Sequence, residues 1–138
     1  MNNYTFSDIY VGVEEAFNVT ITELMVKNFE KFTGDINPLH TSLQFANSRG
    51  FTKKIVYGML TASFYSTLIG VYLPGENSLL HEISIIFDKP VYVGDTLTVY
   101  GRVNKVLSLF KRVSINATIK NQNDMVVSHA IITVGLTK

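Results

Sequence analysis

Ile55-Val56-Tyr57-Gly58-Met59-Leu60-Thr61-Ala62-Ser63-Phe64-Tyr65-Ser66-Thr67-Leu68-Ile69-Gly70-Val71-Tyr72-Leu73-Pro74-Gly75 carries no formal charge, and how this run is read decides the architecture. Its length would let a helix cross a bilayer, which takes about 20 apolar residues. Its content points elsewhere. Gly58, Thr61, Ser63, Ser66, Thr67 and Gly70 are spread along it with Tyr57, Tyr65 and Tyr72, and Pro74-Gly75 ends it. These residues suit a helix from about Gly58 to Leu73 packed inside a protein core. Such a helix is apolar nearly all round, so other elements must wrap it.

The wrapping elements follow in the chain. From Leu79 the pattern changes to a period of two: Leu79, His81, Ile83, Ile85 and Phe87 alternate with Leu80, Glu82, Ser84, Ile86 and Asp88. Pro90 and Gly94-Asp95 mark turns. Further strands are expected over Thr96 to Lys105, Arg112 to Lys120 and Met125 to Val134, with a turn at Asn121-Gln122-Asn123-Asp124. The last strand is apolar on both faces at several positions, which predicts a central place in the sheet.

Upstream, Asp8 to Val13 reads as an extended lead-in and Ala16 to Ile21 as a short strand with Phe17, Val19 and Ile21 on one face. A helix then starts at Thr20 or Thr22: Thr20-Ile21-Thr22-Glu23 has capping-box spacing, and Met25, Phe29 and Phe32 recur at helical intervals. Gly34 stops it. Ser42 is expected to cap a short helix from Leu43 to Ser48, buried through Leu43, Phe45 and Ala46 and ended near Gly50. Helices followed by hairpin-linked strands imply one α+β domain, residues 1–138, whose antiparallel sheet wraps the long central helix.

Composition narrows the class. Hydrophobic residues make up 46% of the chain and charged residues 17%, which leaves little charge to cover a small monomer and predicts contact with a second copy. The 12 basic and 11 acidic residues are scattered, so nothing resembles a nucleic-acid footprint. The absence of cysteine excludes disulfides, thiolate metal sites and a cysteine nucleophile. Met1-Asn2-Asn3-Tyr4 lacks the basic segment and apolar run of a signal peptide, and a cytoplasmic location is expected.

The densest chemistry lies in Phe32-Thr33-Gly34-Asp35-Ile36-Asn37-Pro38-Leu39-His40. Asn37-Pro38 stiffens the stretch, because proline fixes its own φ and pushes the preceding residue toward extended conformations. Two readings stay open. Asp35 could be a cap or turn residue and His40 an imidazole bonded to a backbone carbonyl. Alternatively, a carboxylate and a neutral imidazole held at one site can position and deprotonate a water near neutral pH. Gly58 has a similar pair of readings: a packing glycine, or a helix-N-terminal N–H that stabilises an oxyanion and lets a substrate carbonyl approach closely.

Elsewhere the sequence is quieter. His81 and His129 sit at alternating strand positions and are taken as structural. Histidines without i, i+4 partners make a transition-metal site unexpected. Arg49, Lys53 and Lys54 form a small basic group, either a solvated face or a contact for a phosphate-bearing ligand.

These residues resemble a known family. Thr33 to His40 matches the S/T-G-D-x-N-P-x-H signature of the MaoC-like (R)-specific enoyl-CoA hydratases, which have the hot-dog fold. Ile55-Val56-Tyr57-Gly58-Met59-Leu60 resembles that family's I-x-H-G-M-L, and Phe87-Asp88-Lys89-Pro90-Val91-Tyr92-Val93-Gly94-Asp95 resembles its F-x-x-P-V-x-x-G-D. The resemblance covers about Thr20 to Val134. It implies a long helix wrapped by an antiparallel sheet, a homodimer or dimer-based oligomer, and no cofactor or metal.

It further implies syn addition of water to a trans-2-enoyl thioester, or the reverse dehydration. Asp35 and His40 would activate the water, and the Gly58 N–H would hold the thioester oxygen. Asn37 would hold the loop or contact the site, and Leu60, Phe64 or Tyr65 would line the acyl path. Two departures stand out: Tyr57 where the family usually has histidine, and Ser42 where an acid is common. Tyr57 is therefore expected to bear on substrate preference. The rival readings are a hot-dog acyl-thioester hydrolase and a non-catalytic acyl-thioester-binding module. Coenzyme A and an acyl carrier protein remain equal candidates for the thiol carrier.

Overall fold

The computed structural model describes residues 1–138. A 3-10 turn at Phe6–Asp8 and a turn at Val11-Gly12 take the place of the extended lead-in. Strand β1 (Glu14–Thr20) follows, then helix α1 (Glu23–Thr33). Thr22 and not Thr20 is the cap, its side-chain oxygen accepting from the Met25 N–H at 3.2 Å, because Thr20 is still paired in the strand opposite Thr96. Gly34 ends α1 at φ +73°, a left-handed conformation that glycine adopts without strain.

Two short helices come next. Pro38–Thr41 (α2) is a single turn that the sequence pattern does not predict, and Leu43–Ser48 (α3) is capped by Ser42 through the Phe45 N–H at 3.2 Å. Ala46 is buried and Phe45 half-buried in α3, whereas Leu43 faces out. Gly58–Thr67 (α4) then runs into a π turn at Leu68–Tyr72, so the uncharged run is helical from Gly58 to Tyr72. No helix of the chain is long and apolar enough to cross a membrane.

The remaining strands are β2 (Ser78–Phe87), β3 (Thr96–Leu107), β4 (Arg112–Lys120) and β5 (Val126–Leu136). All pairings are antiparallel, in the order β1-β3-β4-β5-β2, which is the expected α+β class. β4 is the middle strand; β5 is interior, one place from the edge. A bulge between Leu80 and Glu82 interrupts the alternation expected for β2. Ile83 and Ile85 still pack against the core, while Leu79 and Phe87 are exposed.

The core lies between the sheet and the central helix. Leu97, Val99, Ile115, Ile119 and Ile132 meet Tyr65, Leu68 and Leu73, all essentially without exposure. Each such aliphatic side chain contributes roughly 1.5–3 kcal/mol by burial. The approach is close: a Cβ on Gly101 of β3 would sit 2.8 Å from Leu68 Cδ2. One side of α4 is left open, with Met59, Ser63 and Ser66 exposed. Edge strand β2 also exposes Leu79, Leu80, Ile86 and Phe87.

Inside the core, the Tyr65 hydroxyl donates to Ser128 Oγ at 3.0 Å. Burial pushes its pKa up to about 12, with Asp88 adding and the Ser128 hydrogen bond opposing. In the unfolded chain a phenol titrates near its usual value of about 10. Tyr65 therefore supports the fold fully below that value, and the contribution is lost as pH rises toward about 12. Urea unfolding across this alkaline range should show the loss in the native protein and a smaller one in Tyr65→Phe. Equal pH slopes in the two proteins would contradict this assignment.

Candidate active site

Gly34 releases the chain from α1, and Asn37 captures it three residues later as the cap of α2. The short span between them is held by its own turn. The Asp35 N–H donates to Thr33 Oγ1 at 3.3 Å, the Asn37 N–H to Asp35 Oδ1 at 3.0 Å, and the Leu39 N–H to Asn37 Oδ1 at 3.0 Å. Pro38 occupies the first helical position, where a missing N–H costs nothing. Asp35 Oδ2 has no protein partner.

α2 presents His40 to the segment after α3. Its Nδ1 lies 2.7 Å from the Ile55 carbonyl oxygen. A carbonyl only accepts, so this nitrogen carries the proton in the neutral ring and Nε2 keeps a free lone pair. The structural and catalytic readings of Asp35 and His40 are thus compatible: each side chain uses one atom to hold itself and leaves another free.

The four residues Ile55 to Gly58 meet both groups. The Ile55 N–H donates to the Leu39 carbonyl at 3.1 Å, and the Val56 N–H donates to the Val91 carbonyl at 2.8 Å. The Tyr57 hydroxyl donates to the Asp35 backbone carbonyl at 2.6 Å. Its ring lies between His40, with centroids 4.1 Å apart, and Phe29, at 5.0 Å. Burial, with Glu30 and Asp35 adding negative charge nearby, holds this phenol above its usual pKa, so it remains a donor. Gly58 opens α4, where its N–H has no intrahelical acceptor and no other protein partner. A Cβ there would come within 3.3 Å of the Phe87 ring.

Asp35, His40 and Gly58 line one cleft of about 580 Å³, walled by Phe29, Tyr57, Met59 and Phe87. A second cavity of about 290 Å³ shares His40, Gly58 and Phe87 and continues to Phe51, Val56, Thr61 and Val127. Thr61 is 2% exposed, and its hydroxyl is a buried side-chain polar atom without a hydrogen bond. The cleft is therefore lined by a carboxylate residue, an imidazole and the first glycine of α4. Together these can hold a water and polarise a carbonyl.

Of the other residues singled out from the sequence, Tyr57 lines the cleft, whereas Asn37, Leu60, Phe64 and Tyr65 line neither cavity. Asn37 caps α2, and Leu60 and Tyr65 are buried in the core with Phe64 packed against it. Phe29 and Thr61 carry no sequence signal for the site, because each reads as an ordinary helix residue; Met59 and Phe87 fall inside the resembling motifs, but nothing in those motifs marks them as wall residues. His129 Nδ1 pairs with Asp88 Oδ2 at 2.7 Å, and Asp88 lines the smaller cavity together with His40. In the basic group, Lys54 reaches Glu23 at 3.4 Å and Arg49 lies over the Phe45 ring.

Residues 11–125 match the family model described as MaoC like domain. The chain is 33% identical to an (R)-specific enoyl-CoA hydratase of Rhodospirillum rubrum, over 82% of this chain and 78% of that one. It is 32% identical to a 3-hydroxybutyryl-CoA dehydratase of Methylorubrum extorquens, over 82% of this chain and 72% of that protein. Among solved structures, the (R)-hydratase from A. caviae involved in PHA biosynthesis superposes with a TM-score of 0.88 at 30% identity, covering 93% of this chain and 97% of that one. The architecture is the hot-dog fold of these neighbours.

The unpartnered Thr61 hydroxyl has a measurable consequence. A buried polar group left without a partner costs about 1–3 kcal/mol, and valine has nearly the same shape. Thr61→Val should therefore raise the urea midpoint of the ligand-free protein at unchanged m-value. A lowered midpoint would show that the hydroxyl is already satisfied.

Proposed function

The chain belongs to the MaoC-like domain family, and on that premise we propose that it is a lyase that hydrates trans-2-enoyl thioesters to (R)-3-hydroxyacyl thioesters, or runs the reverse dehydration. The observation that carries this reading is the tether of His40 Nδ1 to the Ile55 carbonyl, which leaves Nε2 without a protein partner on a residue that lines the same cleft as Asp35 and Gly58.

In the hydration direction, Asp35 Oδ2 accepts a hydrogen bond from the water and His40 Nε2 takes its proton. The oxygen bonds to C3 as the C2–C3 π pair shifts toward the thioester carbonyl. The Gly58 N–H, at the positive end of α4, stabilises the developing enolate oxygen. Collapse of the enolate takes the proton from His40 to C2 on the face that received the oxygen, giving syn addition. The acyl chain is walled by Phe29, Tyr57, Met59 and Phe87, and the carrier is coenzyme A or an acyl carrier protein.

The chain acts as a dimer with a second copy joined along β2. Of the two edge strands, β2 exposes Leu79, Leu80, Ile86 and Phe87, whereas β1 exposes no large apolar residue. A bare apolar edge is an association surface. Phe87 belongs both to that edge and to the cleft, so pairing would complete the cleft wall.

With crotonyl-CoA, the conjugated double bond should be consumed without release of free thiol. Thiol release at a comparable rate would identify a hydrolase instead. Asp35→Asn and His40→Ala should each lower kcat/KM by about 10²–10⁴-fold, and wild-type turnover in either would remove that residue from the mechanism. Sedimentation should give a dimer for the native chain and a monomer for Ile86→Lys. A native monomer would exclude the β2 interface.

A further inference from the structure

Asp35 is poorly anchored for a residue asked to hold a water. It stands on an exposed loop, and the apolar residues beside it do not tie that loop down: Phe32 is 88% and Ile36 74% exposed. The bonds of its own turn, to Thr33 and from Asn37, set its local shape but not its distance from His40. His40, in contrast, has an external tether through Ile55. One hydrogen bond ties Asp35 to anything outside its own turn, and that is the Tyr57 hydroxyl on its backbone carbonyl at 2.6 Å.

We propose that Tyr57 is a positioning residue that holds the Asp35 carboxylate in register with the His40 imidazole, an inference that rests on the hydration reading. Three features support it. Tyr57 is 2% exposed, so its ring is a fixed post. The ring touches His40 on one side and Phe29, in the helix that delivers Asp35, on the other. Its neighbours in the chain carry the remaining parts of the site: Ile55 orients His40, and Gly58 offers the free N–H. Ile55 to Gly58 is thus a short rail from which carboxylate, imidazole and oxyanion donor are all set. The hydroxyl is spent on Asp35.

Tyr57→Phe tests the strut, because it keeps the ring and both stacking contacts and removes only the hydroxyl. With crotonyl-CoA, kcat should fall about 10–100-fold, since a displacement near 1 Å of a reacting group can cost about 10²-fold. KM should stay within about twofold, because uniform binding is untouched. In backbone NMR of the free protein, the Ile36 amide, attached directly to the Asp35 carbonyl, should shift or broaden while the His40 amide stays in place. Wild-type kcat with an unmoved Ile36 amide would overturn the proposal. So would a raised KM at unchanged kcat, which would make the hydroxyl a substrate contact. If the native protein itself fails to hydrate crotonyl-CoA and other enoyl thioesters, the hydration reading falls; the Ile36 amide still reports the strut separately.

Discussion

The Val56 N–H on the Val91 carbonyl, 2.8 Å long and made between two buried valines, is the bond on which the arrangement of the cleft depends. It pins the extended residues before α4 to the loop between β2 and β3. A buried backbone pair of this kind cannot be exchanged for water without a desolvation penalty. With Val56 fixed, the neighbouring residues have little freedom: Ile55 presents its carbonyl to His40, Tyr57 its hydroxyl to Asp35, and Gly58 its N–H to the cleft. Groups far apart in the chain are thereby referred to one short piece of backbone, itself clamped between helix and sheet.

Backbone bonds also anchor the polar side chains around the cleft. Asp35 and His40 each satisfy one polar atom on the backbone and leave another without a protein partner, so neither is left wholly unpaired. The Tyr65 hydroxyl finds Ser128 by the same logic deeper in the core. Thr61 is the exception, and it sits where the smaller cavity meets the helix. Met59 and Phe87 wall the cleft while remaining exposed.

Particular elements show why some structure can be read from sequence. Gly34 as a helix stop and Ser42 as a cap are local choices, settled by a left-handed φ and a side-chain oxygen within reach. β4 appears where its alternation places it because it is the middle strand, with one face on the helix and partners on both sides. β2 departs from its pattern because a bulge at an edge meets little resistance, and one inserted residue moves Leu79 and Leu80 out of step. The cap at Thr22 was displaced from Thr20 by pairing with β3, a contact that no local pattern carries.

By itself the sequence determined the class of the fold, the helix in the uncharged run, and the closeness of Asp35 and His40 in one short stretch, because periodicity, caps and proline act over a few residues. Its resemblance to the MaoC-like family also pointed to Gly58 as the third group. Only the tertiary structure decided which atoms of these residues are free, through bonds that join His40 to Ile55 and Tyr57 to Asp35. It alone brought Phe29, Met59 and Phe87 to the wall of the cleft and withdrew Leu60 and Tyr65 into the core. The physical reason is range: α4, β2 and the Asp35 loop meet only after the sheet has closed over the helix, and spacing along a chain does not encode which faces of packed elements will touch.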